Sequence, residues 1–209
     1  MDGGILDRLI AADRDMTLAI NALHSGSTDL FWMMMSDKST WIPLYVLTAV
    51  FLFWRLGWRK AVAVMVACGL TILACDQTAQ LLKYSVARLR PCYSTPNLAD
   101  GLRILEGRGS LFGFFSAHAA DSFGFALCIC SALKMDGGHG NRGYKTAILL
   151  WAAFVAISRV FVGKHYLGDV VTGTAIGCIY GWFFGSMAVR VSAAIERRRS
   201  MAASRRNSL

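Results

Sequence analysis

The sequence has 209 residues, of which 55% are hydrophobic and only 17% are charged, with a mean hydropathy of +0.45. That balance is too apolar for an ordinary soluble domain of this length and makes a membrane protein the leading class. The formal net charge of +9 does not point to nucleic acid, because the Lys and Arg residues sit between apolar runs and form no patch.

The first 15 residues carry Asp2, Asp7, Asp13 and Asp15 where a cleaved leader would carry positive charge, so membrane insertion is expected to rest on the chain's own spans. Residues 4–23 place Ile5, Leu6, Leu9, Ile10, Met16, Ile20 and Leu23 at helical spacing, broken by charges too frequent for a hydrocarbon core. This predicts an amphipathic helix lying in the membrane interface. Residues 16–35 are rejected as a further span because Asn21, His24, Ser25, Gly26, Ser27, Thr28 and Asp29 interrupt them. Met33, Met34 and Met35, beside Phe31 and Trp32, read as a packing or membrane-facing surface and not as a binding box.

A spanning helix needs roughly 20 mostly apolar residues, and five segments approach this: 41–54, 61–82, 114–133, 144–162 and 167–188. The first is short. A long polar, Gly-rich loop at 92–110, holding Pro96, separates the second from the third and emerges on the same side as the loop near Gly163. Orientation follows from the basic residues of the connections. Arg55, Arg59 and Lys60, then Lys134, Arg142 and Lys145, then Arg190, Arg197, Arg198, Arg199, Arg205 and Arg206 make twelve of the 22 and fall on one face if there are five spans. That face is expected to be cytoplasmic, the long loop external, and the tail arginines in contact with anionic lipid headgroups.

Cys68, Cys75, Cys92, Cys128, Cys130 and Cys178 form no C-x-x-C pair and have no histidine at zinc-ligand spacing. Five lie in apolar stretches, so no metal site or disulfide is expected, and Cys92 is the thiol expected to meet solvent.

Three polar clusters lie at the external ends of spans, where charge needs a partner or a ligand. In Lys83-Tyr-Ser-Val-Ala-Arg-Leu-Arg90-Pro91, a continuing helix would put Lys83 and Arg90 on nearly one face, two cations suited to a phosphate. The cluster alone equally fits a helix end snorkelling to headgroups. Phe115-Ser116-Ala117-His118 opens the third span; Ser116 can cap the helix, and the free NH groups of the first turn attract an anion. Ser158-Arg159, with His165 and Asp169 following, puts a carboxylate one turn from an imidazole, able to fix its tautomer and raise its basicity. Together the clusters supply three cations, a helix N-terminus, two histidines and an orienting carboxylate on one membrane face.

These runs resemble the three signature motifs of the type 2 phosphatidic acid phosphatase superfamily: K-x6-RP at Lys83 to Pro91, a variant of PSGH at Phe115 to His118, and SR-x5-H-x3-D at Ser158 to Asp169. The resemblance covers roughly residues 40–190. The second motif departs, with Phe115 in place of Pro and Ala117 in place of Gly; if that position requires φ > 0, the methyl costs about 1 kcal/mol or more. The resemblance implies an all-α membrane bundle of about five spans plus the interfacial helix. Residues 1–38 would be an interfacial segment, 39–190 the catalytic domain and 191–209 a basic cytoplasmic tail. It further implies that His165 attacks phosphorus to give a phosphohistidine while Asp169 holds its far ring nitrogen. His118 would protonate the leaving oxygen and then activate water. Lys83, Arg90 and Arg159, with Ser116 and the NH of Ala117, would hold the equatorial oxygens, with no metal and no cofactor.

Among the remaining polar residues, Asp76 reads as a structural pair, Asp121 as complementing the helix N-terminus, and His24 and His139 as solvated. A soluble vanadate haloperoxidase, which shares the oxyanion site, is excluded by the spans and the short length. A non-catalytic lipid-binding descendant is opposed by the presence of His118, His165 and Asp169, and a transporter by the lack of inverted halves. The implied activity is a bacterial inner-membrane lipid phosphatase working on the external face. Undecaprenyl diphosphate is the first candidate substrate and lipid A the runner-up; phosphatidylglycerol phosphate and phosphatidic acid follow.

Overall fold

The computed structural model describes residues 4–136 and 141–207; Asp2 and His139 lie outside them. The described chain is a bundle of helices: α1 (Ile5–Asn21), α2 (Gly26–Ser36), α3 (Ile42–Val86), α4 (Thr95–Ala99), α5 (Ala117–Ala132), α6 (Arg142–Phe161) and α7 (Leu167–Asn207). Three stretches are long and apolar enough to cross a membrane by length and composition, Ser39–Val86, Arg142–Phe161 and Leu167–Arg206.

The first stretch makes two crossings. A straight 45-residue helix would be roughly 67 Å long, yet Lys38 at its start and Lys83 at its end line the same cavity. The reversal occurs at Gly57, whose φ of 73° is open to glycine without strain. Beside the turn, Phe51 stacks on Tyr144 and Lys60 pairs with Glu196 at 2.9 Å, marking the end of the bundle away from the cavity. α5 is shorter, 16 residues, but it runs through the centre, and with α6 and α7 it brings the crossings to five.

What lets α5 sit at the centre is the surface of α7 that faces it. Gly173, Gly177, Gly181 and Gly185 recur every fourth residue, and a Cβ on any of them would collide with the backbone of Ser116, Ala120, Gly124 or Cys128 in turn. The missing side chains bring two backbones together, the packing favoured where lipid supplies no hydrophobic drive between helices. Elsewhere the core is apolar in the ordinary way: Leu52, Val64, Phe125, Ile129 and Trp151 interlock, with Trp41 and Tyr45 edge-on to Trp151. Outward-facing Val46, Leu47, Val50, Leu70, Leu73, Ile179 and Trp182 give the bundle an apolar exterior. This is an integral membrane protein.

α1 exposes Ile5, Leu6, Leu9, Ile10 and Met16 while burying Thr17 and Asn21. Asn21 closes the end of α1 onto the loops. Its side-chain amide donates to the carbonyls of Arg103, Val160 and Phe161, and its oxygen accepts from the Arg103 amide. His24 is half-buried against the Asn21 carbonyl at 2.6 Å, not freely solvated as expected. The Cys92 thiol is likewise not exposed; the segment after Pro91 folds under the loop and buries it completely. α7 continues as one helix to Asn207, so residues 191–207 extend the last crossing in helical form.

Candidate active site

At the end of the bundle opposite Gly57, a cavity of about 720 Å³ opens among α2, α3, α5, α6 and the two loops on that side. Lys83, Arg90, Ala117, His118, Arg159 and His165 all line it. Residues spread over more than 80 positions of sequence are thereby brought around one volume.

The two cations of the first cluster arrive by different routes. α3 stops at Val86 because Ala87 takes a left-handed conformation (φ 49°), its amide bonding back to the Lys83 carbonyl at 3.0 Å. Lys83 therefore projects from the last helical turn, and Arg90 does not share its helical face. It sits in an extended segment zipped to residues 111–113 by Arg90 N–H to Leu111 O at 3.0 Å and Gly113 N–H to Arg88 O at 2.9 Å. The Arg90 guanidinium, 9% exposed, donates to Ser110 Oγ at 2.8 Å. Gly113 is needed for this packing, since a Cβ there would stand 2.8 Å from Arg90 Cγ and 3.5 Å from His165 Nδ1.

Ser116 is the N-cap of α5: its hydroxyl accepts from the Ala119 amide at 3.4 Å, and its own amide donates to the Asp169 carbonyl at 3.0 Å. It is fully buried beneath the cavity, whereas Ala117 and His118 reach it. Ala117 has no positive φ; it is the first helical residue of α5, so its methyl carries none of the strain a left-handed position would impose.

Arg159, 4% exposed, ends α6 with Nη1 on Ser36 Oγ and 3.5 Å from Glu106, and its Nε is buried with no hydrogen-bond partner among the described residues. Ser158 is turned away onto the Val155 carbonyl. His165 sits in the short loop before α7, with Nδ1 3.6 Å from Asp169 Oδ2, just beyond hydrogen-bonding distance. Asp169 is fully buried behind it, Oδ1 on Arg88 Nη1 at 2.8 Å and Oδ2 on the Tyr166 amide at 3.1 Å. Burial holds the His165 pKa well below the ordinary histidine value, and Arg159, Arg90 and Lys83 push it the same way. Both effects favour the neutral form of the ring.

Sequence reasoning missed several neighbours. Lys164, buried beside His165, adds a fourth cation with Nζ on the Gly107 carbonyl and 3.9 Å from Glu106; burial, then Arg159, lowers its pKa. Its position next to the motif histidine was the available signal. Lys38 pairs with Asp121 at 2.9 Å on the cavity rim, which corrects the reading of Asp121 as a helix-dipole partner: it lies past the first turn and meets a cation from another element. Asp76 faces the cavity, with no hydrogen bond or ion pair to it among the described residues. Met33 and Met34 also line the cavity, so that run is part of its mouth, not only packing surface. Among the described residues no group of three or more His, Cys, Asp or Glu side chains could hold a metal ion.

Five cations, two histidines and a helix N-terminus around one cavity of a membrane bundle define a hydrolase for phosphate carried by a lipid. Comparison with known proteins names the family. The family model of the PAP2 superfamily matches residues 60–192, and the chain belongs to that superfamily. It is 34% identical to a lipid A 4'-phosphatase of Bacteroides thetaiotaomicron over 92% of this chain and 84% of the relative. It is 28% identical to a lipid A 4'-phosphatase of Porphyromonas gingivalis over 85% and 73%. In fold it is similar to a transmembrane PAP2-type phosphatidylglycerolphosphate phosphatase of Bacillus subtilis, with a TM-score of 0.67, 18% identity and 88% of each chain covered. The protein is a membrane lipid phosphatase.

Proposed function

We propose that this phosphatase removes a phosphate from lipid A at the outer face of the cytoplasmic membrane, through a phosphohistidine on His165. The observation that carries the chemistry is the meeting of Lys83, Arg90, Arg159, Lys164, His118 and His165 around one cavity. The similarity to proteins named lipid A 4'-phosphatases supports lipid A as the substrate in place of undecaprenyl diphosphate, the first candidate from sequence. The basic connections and tail, all at the opposite end of the bundle, support an external site and a cytoplasmic C-terminus whose arginines touch anionic headgroups.

The phosphoryl group would seat its oxygens on the guanidinium and ammonium groups and on the amides at the start of α5, where no desolvated charge is left unmatched. With Nδ1 turned toward Asp169, Nε2 of His165 attacks phosphorus; the N–P bond forms as the P–O bond to the lipid breaks, and His118 gives its proton to the departing oxygen. His118 then takes a proton from water, which attacks the phosphohistidine, releasing inorganic phosphate and restoring His165. Neutralisation comes from the protein's own cations.

The test is phosphate release by detergent-purified protein in EDTA, across lipid A, undecaprenyl diphosphate, phosphatidylglycerol phosphate and phosphatidic acid, beside His165→Ala. Release greatest from lipid A and absent in the variant is expected. Preference for another lipid overturns the substrate assignment, and near-normal turnover by His165→Ala overturns the mechanism.

A further inference from the structure

The sequence from Tyr166 to Asp169 is clasped by a helix some 150 residues away. Asp13 Oδ1 accepts from the Gly168 amide at 2.7 Å, and Thr17 Oγ1 accepts from the Leu167 amide at 2.9 Å. Those are free N–H groups of the first turn of α7, a need ordinarily met by the residue just before the helix and here met by α1. The fit leaves no slack: a Cβ on Gly168 would stand 2.8 Å from Asp13 Oδ2.

A second connection runs through a cation that the motif pattern leaves unassigned. Arg88 donates through Nη2 to Asp13 at 2.6 Å and through Nη1 to Asp169 at 2.8 Å, with its guanidinium 4.0 Å above the Tyr166 ring. A third path joins Arg14 Nε to Asn97 at 2.9 Å and the Asn97 side-chain amide to the Tyr166 hydroxyl at 2.8 Å. Each residue from 166 to 169 is thus held by α1 directly or through one intermediary.

The effect falls on the carboxylate behind the nucleophile. With Oδ1 fixed by Arg88 and Oδ2 by the Tyr166 amide, Asp169 cannot rotate, and its Oδ2 is presented to His165 Nδ1 at 3.6 Å. We propose that α1 is a positioning helix for the nucleophile, Asp13 setting Arg88, and Arg88 setting Asp169 and so the His165 ring. This rests on His165 as nucleophile but not on which lipid is the substrate. It also gives the exposed apolar face of α1, Ile5, Leu6, Leu9 and Ile10, a bearing on catalysis: the helix that carries it is linked through Arg88 to the carboxylate behind the reacting imidazole.

The experiment compares full-length wild type with Asp13→Asn, Arg88→Gln and the double variant, on lipid A and on phosphatidic acid. kcat, KM and melting temperature are recorded, with His165→Ala as control. Asp13→Asn keeps an oxygen for Gly168 and removes only the charge facing Arg88. Because misplacing a reacting group by about 1 Å costs roughly 10²-fold, each single variant is expected to lose roughly 10- to 100-fold in kcat. KM should stay near wild type. Asp13→Asn should melt near wild type, while Arg88→Gln, which leaves the buried Asp169 without its cation, should melt lower. The double variant should be no worse in kcat than the poorer single one, as members of one chain of contacts behave. Unchanged kcat, losses that multiply in the double variant, or a kcat loss in Asp13→Asn that tracks a fall in its melting temperature would each overturn the proposal. Wild-type activity confined to phosphatidic acid would sink the lipid A assignment and leave this comparison to be read on that lipid.

Discussion

Glu106 is a carboxylate placed where an incoming phosphate would be repelled. Its Oε2 lies 3.5 Å from Arg159 Nη1 and 3.9 Å from Lys164 Nζ, and its side chain is 23% exposed. A phosphate oxygen bound to Arg159 at about 3 Å would then stand roughly 6 Å from Glu106. At that separation, two unit charges repel by about 0.7 kcal/mol in a water-like dielectric and about 3 kcal/mol at the effective value of a protein surface. Taking about 1.4 kcal/mol, Glu106→Gln should lower KM roughly tenfold while leaving kcat close to wild type. The substitution also leaves Arg159 and Lys164 without their counter-charge in the empty site, so the melting temperature should fall by roughly 2–4 °C per kcal/mol lost. Inorganic phosphate should restore it by binding the freed cations. Steady-state kinetics and thermal melting with and without phosphate decide the matter. A raised KM would refute the reasoning, because Glu106 would then be ordering the cations for substrate and not standing in its place.

Two further expectations follow from the site and the bundle. The folded His165 pKa lies well below its ordinary value of 6.5, so the ring stays neutral, and the acid limb of kcat/KM that belongs to it should fall below pH 6.5. By linkage the unfolded chain binds the extra proton first, so stability declines as pH drops through 6.5 toward the folded value; a limb at or above pH 6.5 abolished by no other substitution would contradict the burial argument. Gly177→Leu drives a side chain into the Ala120 backbone and should cost about 1–3 kcal/mol or more, lowering the melting temperature by roughly 2–12 °C or more. An unchanged melt would mean that α5 and α7 do not rely on this contact.

The spans, and the candidate residues that meet around one cavity, were legible because each signal is local: apolar length for the helices, and short motifs for Lys83, Arg90, Ala117, His118, Arg159 and His165, with Asp169 behind His165. Ser116 was legible as a cap, though its burial leaves the hydroxyl committed to Ala119. What local signals cannot carry is the pairing of distant elements. Glu106 meets Arg159 across 53 positions, Lys38 meets Asp121 across 83, and Asp13 meets Gly168 across 155. Asp13, Thr17 and Asn21 recur every fourth residue, a polar stripe that continues the line of Leu9 and Ile10 along α1, and that spacing was a readable hint of a docked helix. The helical reading of Lys83 and Arg90 failed for a different reason, because Ala87 breaks the helix with a left-handed residue that carries no glycine to announce it.

Ala117 alters how such enzymes are to be found. Where the second motif is written with Gly, a literal pattern passes over this chain, although the position asks only for an ordinary right-handed backbone at the first residue of a helix. On the proposed mechanism the requirement is an amide at a helix start, and any residue small enough not to fill the cavity meets it. A pattern stated in those physical terms, a capping residue, a small residue and then histidine, admits sequences that a letter-for-letter search discards.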